Sequence, residues 1–272
     1  MSLTQTGPGW LFCPADRPER FEKAAAAADV VILDLEDGVA AKDREAARAA
    51  LIDTPLDPST TVVRINPATT PDHELDLKAL ARTAYTTVML AKTESADQVA
   101  ALAPLDVVVL IETPLAALMV AELVRVENAF GAMWGAEDLF AALGGTANRN
   151  ADGSYRDVAK HVRSQTLLAA KAYGRMALDS VYLDIKDFDG LRAETDDAVA
   201  VGFDAKVAIH PTQVAVIRAG YTPTDDQVRW ARNVLEAARS ERGVFQFKGQ
   251  MVDMPVLRRA ERIVALAPHP ES

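Results

Sequence analysis

Residues 107–125 read VVVLIETPLAALMVAELVR. The first part is a β-rich run without polar alternation that ends in the acid Glu112. The second, Leu115–Arg125, carries apolar residues at helical spacing. An apolar run without alternation suits a strand covered on both faces, as in a parallel sheet. The same strand–helix unit recurs along the chain. Comparable strands are WLFCP at 10–14, VVILDLED at 30–37, TVVRIN at 61–66, TVMLAK at 87–92, AMWGAEDL at 132–139, VYLDI at 181–185 and KVAIHP at 206–211. Helical stretches lie between them, among them Asp43–Leu51, Leu75–Arg82 and Tyr155–Tyr173. Eight units in 272 residues predict an α/β chain folded as a closed (β/α)₈ TIM barrel, which needs about 250 residues. No G-x-G-x-x-G follows a strand, which counts against an open dinucleotide-binding sheet.

After about residue 221 the rhythm changes. TPTDDQ at 222–227 predicts a helix start with Thr224 as N-cap, running to about Ser240. A loop FQFKGQMVD at 245–253 and a helix from Pro255 follow. Residues 1–220 are thus expected to form the barrel. Residues 221–272 form a C-terminal helical extension, either a lid or an arm reaching another subunit.

Hydrophobic residues make up 49% of the chain, enough for a large core, and the formal net charge of −10 argues against nucleic acid as a partner. No apolar run reaches the ~20 residues of a membrane span. MSLTQTGPGW at 1–10 lacks a leader pattern, and the single cysteine, Cys13, permits no internal disulfide, so a cytoplasmic protein is expected.

In such a barrel the active site lies at the carboxyl ends of the strands. Those ends offer Glu36 and Asp37, Arg64, Lys92, Glu112, Glu137 and Asp138, and His210. Glu112 and Asp138 end neighbouring strands and would repel each other unless a cation lay between them. A hard divalent ion such as Mg²⁺ fits that role, and salt bridges to Arg64 and Lys92 are the plain alternative. Arg64 has a fork suited to a substrate carboxylate, or to an ion pair with Glu36 or Asp37. Lys92 is a candidate Schiff-base nucleophile, but the surrounding acids favour its protonated form. Arg17, Arg20 and Lys23 form either a solvated basic face or a grip on phosphates. His210, before Pro211, either braces a loop or acts as a base.

Taken together, CPADRPERFEKA at 13–24, VILDLEDGV at 31–39, VVRIN at 62–66, IET at 111–113, WGAEDL at 134–139, AIHPTQV at 208–214 and GQMVDMPV at 249–256 carry a resemblance. The chain resembles the citrate lyase β-subunit-like branch of the HpcH/HpaI aldolase superfamily, which includes malyl-CoA and citramalyl-CoA lyases. The resemblance implies a TIM barrel, Mg²⁺ on Glu112 and Asp138, and assembly as a homotrimer or a multiple of it. It places Arg64 on the substrate and Glu36 and Asp37 near the keto acid, with Asp37 in a catalytic role. Gly135 and Ala136 then belong to substrate binding, and Arg17, Lys23, His210 and Pro211 to coenzyme A. It also makes Asp253, supplied by a neighbouring subunit, a catalytic residue. Departures are Ala15, Thr113–Ala116 and Ala91, where the family often has glycine, an ETARG stretch and proline. The implied reaction is Mg²⁺-dependent carbon–carbon cleavage of a carboxylated β-hydroxyacyl-CoA thioester into acetyl-CoA and an α-keto acid. Alternatives are a malyl-CoA-type thioesterase, a citryl-acyl-carrier-protein lyase β subunit, and a binding protein without turnover.

Overall fold

The structure, a computed structural model, describes Leu3, residues 6–241 and residues 243–267. Eight strands form a closed barrel in which every neighbouring pair is parallel and β8 returns to β1. They are β1 (Gly9–Pro14), β2 (Val30–Asp34), β3 (Thr61–Ile65), β4 (Thr87–Leu90), β5 (Asp106–Ile111), β6 (Ala129–Trp134), β7 (Met176–Asp179) and β8 (Ala205–Ala208). The helices that alternate with them are α1 (Phe21–Ala27), α2 (Arg44–Asp53), α3 (Pro71–Leu80), α4 (Ala96–Ala100), α5 (Pro114–Val124), α6 (Ala136–Leu143), α7 (Asp157–Ala172), α8 (Phe188–Val201) and α9 (Pro211–Tyr221).

Side chains alternate across a strand, so every second residue enters the barrel. Val30 and Ile32, Val108 and Leu110, Met133 and Leu178 lie together in the apolar barrel core. Continuing each strand by two residues reaches Asp34, Glu112, Gly135 and Ser180. On β3 the step from Val62 reaches Arg64. The polar mouth of the barrel is therefore the next layer above the apolar filling. The opposite face of each strand is also buried, with Val31, Leu33, Val63, Val109 and Ile111 at most 2% exposed. Burial on both faces is why the strands read as continuous apolar runs.

Three sequence expectations change here. Strand seven is Met176–Asp179 rather than 181–185. The VYLDI segment is a loop with Leu183 and Ile185 exposed. Strand six stops at Trp134, and Glu137 and Asp138 lie in the first turn of α6, after Gly135 as N-cap. Asp138 thus sits on a helix start rather than a strand end. The segment at 245–253 is a hairpin of β9 (Phe245–Phe247) and β10 (Gln250–Val252) rather than a loop. Lys248 and Gly249 between them both have positive φ, 47° and 82°. Those angles match the two-residue turn that the twist of a hairpin prefers.

The chain divides into two compact units, 1–217 and 218–272. In the second, Thr224 caps α10 (Asp225–Ala238) in a capping box with Gln227. Helix α11 (Met254–Leu266) packs on α10, and Ala231 and Val234 of α10, Val252 of β10 and Ala260 of α11 share one buried apolar cluster. Among the described residues no helix is long and apolar enough to cross a membrane.

Candidate active site

The barrel mouth begins with a pairing set by register. Asp34 on β2 lies opposite Arg64 on β3. Both point inward, and the guanidinium binds Asp34 in bidentate fashion, Nε to Oδ1 at 2.7 Å and Nη2 to Oδ2 at 2.6 Å. Its remaining nitrogen, Nη1, is 3.2 Å from Glu36. The ring of Phe12 lies beneath it at 4.7 Å. Burial works against the arginine's charge, but Asp34, Glu36 and Glu112 outweigh it and raise its pKa further. The fork expected to grip a substrate carboxylate is thus held by Asp34, which the sequence reading did not select. Of the two ion-pair partners expected, Glu36 is present, while Asp37 binds Lys92 instead.

Lys92 follows β4 with a positive φ of 49°, a strained conformation for a residue with a side chain. Two contacts hold that segment. The Lys92 N–H donates to Glu112 Oε1 at 2.9 Å, and the Thr93 hydroxyl donates to the Leu90 carbonyl at 2.7 Å. The Lys92 ammonium reaches Glu36 at 2.5 Å, Asp37 at 3.0 Å and Asp138 at 3.3 Å. Partial burial lowers its pKa, but the bond to Glu36 and the fields of Glu112 and Glu36 raise it above the ordinary lysine value. A Schiff-base role needs a neutral amine. Borohydride reduction with pyruvate present is therefore expected to leave Lys92 unmodified in peptide mass analysis. A pyruvyl adduct on Lys92 would reverse that assignment.

Glu112 follows β5 and is 2% exposed. Burial and the nearby Asp138 push its carboxyl up to about 8, against the lowering effect of Arg64 and Lys92. Asp138 faces it from the first turn of α6, where the helix dipole favours an anion. A cavity of about 70 Å³ lies between them, lined also by Arg64, Gly135 and Ser180. Glu137 lines it too, with Oε1 accepting from Asn148 Nδ2 at 2.5 Å. Gly135 is required by space, because a Cβ there would lie 2.9 Å from both Cβ and Oε2 of Glu112. Helix α6 carries no side-chain cap, so its first N–H groups remain available to a ligand anion.

This donor set fits a hard divalent cation. Glu112 and Asp138 would supply two carboxylates, leaving other positions to water and substrate oxygens, the usual arrangement for Mg²⁺. Among the described residues no three His, Cys, Asp or Glu side chains come together as a complete cage.

The remaining expected residues lie apart from this cluster. Arg17 is exposed after β1, with Nε 3.4 Å from Asp16, and Lys23 is exposed on α1. His210 precedes α9 and accepts at Nδ1 from the Thr212 N–H at 3.3 Å, with the Thr212 hydroxyl at 2.8 Å; this is a local bracing role. Pro211 is the first residue of α9. Since β1 and β8 are neighbours, Arg17 and His210 follow adjacent strands. Asp253 lies in the second unit as N-cap of α11, accepting from the Val256 N–H at 3.3 Å.

Comparison with known proteins places the chain among characterised relatives. The chain is 62% identical over 267 residues to a citrate lyase subunit beta-like protein of Mycobacterium tuberculosis, covering 98% of each chain. It is 31% identical over 291 residues to the mitochondrial citramalyl-CoA lyase of Rattus norvegicus, covering 94% of this chain and 85% of the other. Among solved structures, CitE of Mycobacterium tuberculosis in complex with magnesium, acetoacetate and coenzyme A matches with a TM-score of 0.95 at 62% identity. That match covers 97% of this chain and 99% of the other. Residues 9–211 match the family model itself, and the chain belongs to the HpcH/HpaI aldolase/citrate lyase family.

Proposed function

We propose that this chain is a Mg²⁺-dependent carbon–carbon lyase that cleaves a carboxylated β-hydroxyacyl-CoA, of the malyl-CoA or citramalyl-CoA type, into acetyl-CoA and an α-keto acid. The observation that carries the reading is Glu112. It is a buried carboxyl raised to about 8 that shares a small cavity with Asp138, beside an uncapped helix start. When bound by Glu112 and Asp138, Mg²⁺ supplies Lewis-acid polarisation of the substrate oxygens.

The protein's own groups do the rest. The first N–H groups of α6, from Ala136 and Glu137, receive the keto-acid carboxylate. Gly135 leaves room for that approach. Arg64, locked in place by Asp34, directs fixed positive charge at the oxygen that becomes the keto group. The substrate hydroxyl must lose a proton as its carbon–carbon bond breaks. Burial raises the Glu36 carboxyl, whereas Asp37, also raised by partial burial, is brought below the ordinary range by Lys92. Glu36 is therefore the better proton acceptor, and Asp37 serves to hold Lys92. The bonding electrons pass to the acetyl-CoA enolate, whose carbon takes a proton from Asp253 of a neighbouring copy. Arg17 and the His210–Pro211 turn, after adjacent strands, together with Lys23 on α1, face the phosphates and adenine of coenzyme A. The match to a CitE structure holding magnesium and coenzyme A supports the reading.

A product assay over malyl-, citramalyl-, citryl- and hydroxymethylglutaryl-CoA tests it. Acetyl-CoA with a keto acid is expected, only with Mg²⁺ present. Free coenzyme A without acetyl-CoA would replace the lyase by a thioesterase. The Asp253 role has its own test. Asp253→Ala is expected to lose turnover while still binding keto acid, and subunits of Asp253→Ala and Glu112→Gln mixed under exchange conditions should recover activity. No recovery would place both residues in one subunit's site or remove Asp253 from it.

A further inference from the structure

Ser180 is the inward-facing residue just past β7, one step above Leu178 of the barrel core. It is 1% exposed, and its hydroxyl is buried without a protein hydrogen-bond partner. A buried hydroxyl left unpaired is costly, on the order of 1–3 kcal/mol, and native proteins seldom keep one without use. This one lines the same cavity as Glu112, Asp138 and Gly135. Its position is firmly set. Lys206 donates to the Ser180 carbonyl at 2.8 Å, and the preceding Asp179 accepts from Trp134, Arg163 and Lys206.

The cavity holds about 70 Å³, several times the ~10–15 Å³ that admits one water molecule. Its floor is apolar, formed by Leu110 and Met133. Such a space takes a small polar ligand above an apolar floor. A carboxylate has two oxygens with about four lone-pair sites, more than the start of α6 alone can fill. The Ser180 hydroxyl is a donor on the neighbouring strand with no acceptor of its own.

We propose that Ser180 is a substrate-binding residue whose hydroxyl donates to the carboxylate of an α-keto acid. The inference rests on the lyase reading above and names a contact that reading does not use. The carboxylate is common to all α-keto acids. Loss of the hydroxyl should therefore weaken them alike.

The test is calorimetric titration of pyruvate and oxaloacetate into the full-length protein with saturating Mg²⁺, for wild type and Ser180→Ala, alongside thermal unfolding. Ser180→Ala is expected to raise Kd for both acids by about tenfold, the range of one hydrogen bond to a charged group. Its Tm should be unchanged or slightly higher, because no protein contact is lost. Unchanged Kd for both acids would overturn the proposal, as would a loss confined to oxaloacetate or a clear fall in Tm. Wild-type protein that binds neither acid would overturn the functional reading, and this inference with it, before any variant is compared.

Discussion

Glu112→Gln is expected to reduce Mg²⁺-dependent turnover by roughly a thousandfold, corresponding to about 4 kcal/mol of lost transition-state stabilisation. The substitution preserves shape. An amide oxygen still accepts from the Lys92 N–H, which supports the strained backbone there. It removes only the charge. Stability provides the control. A carboxyl whose folded pKa lies above its unfolded value loses stability as pH rises through the interval between them, here from about 4.5 to about 8. The amide does not titrate. Without metal, Glu112→Gln should therefore match wild type near pH 4 and exceed it in Tm at pH 8. Adding Mg²⁺ should raise the wild-type Tm at pH 8 and leave the variant unchanged. Asp138→Asn should show the same loss of activity and of metal response. It should show less effect on stability, since Asp138 is half-buried beside Lys92 and a helix start. Full activity in either variant after chelation would remove the pair from metal binding.

Much of this site was legible in the sequence because barrel strands are buried on both faces. Eight apolar runs are conspicuous, and their carboxyl ends must carry the chemistry. What escaped the reading depended on register. Arg64 reads as a fork in search of a carboxylate, yet Asp34 lies thirty residues earlier, and only the β2–β3 pairing places it opposite. Strand seven was displaced because VYLDI is richer in β-formers than MALD. The error hid Ser180, which then fell before the expected strand instead of in the barrel mouth. Asp138 is legible as a residue, but its helix is not. A strand reading of AMWGAEDL takes no account of Gly135 as N-cap or of the helix-forming AEDLFAAL that follows.

The charges on the outer face of the barrel were the least legible, and they carry the largest expected effect on stability. Asp179 and Lys206 are register partners on β7 and β8 that point away from the barrel axis, and both are at most 2% exposed. Lys206 binds Asp179 at 3.1 Å and lies 3.6 Å from Glu194. Arg163 from α7 approaches Asp179 at 2.9 Å, and the Trp134 indole donates to it at 2.7 Å. Burial alone would raise the Asp179 carboxyl, but Lys206 and Arg163 outweigh burial and bring it from 3.8 to about 2. Lys206→Met keeps the volume but leaves Asp179 short of a cation. Breaking one partner of a buried pair costs about 3–5 kcal/mol, equivalent to a Tm lower by roughly 10 °C in a chain of this size. The pH dependence gives an independent check. A depressed carboxylate stabilises the fold above its unfolded pKa, and that contribution is lost as pH falls from about 3.8 to about 2. With Lys206 gone the folded pKa rises toward the unfolded value, so the acid-induced loss in Lys206→Met should still begin near 3.8 but end at higher pH and have lower amplitude. Adding Asp179→Asn should cost less in Lys206→Met than in wild type, because the unpaired charge is then removed as well. Additive losses would show that the two residues are not coupled. Coupled losses would show that the pair acts as a unit, and the same two residues also hold the Trp134 indole and the Ser180 carbonyl beside the cavity.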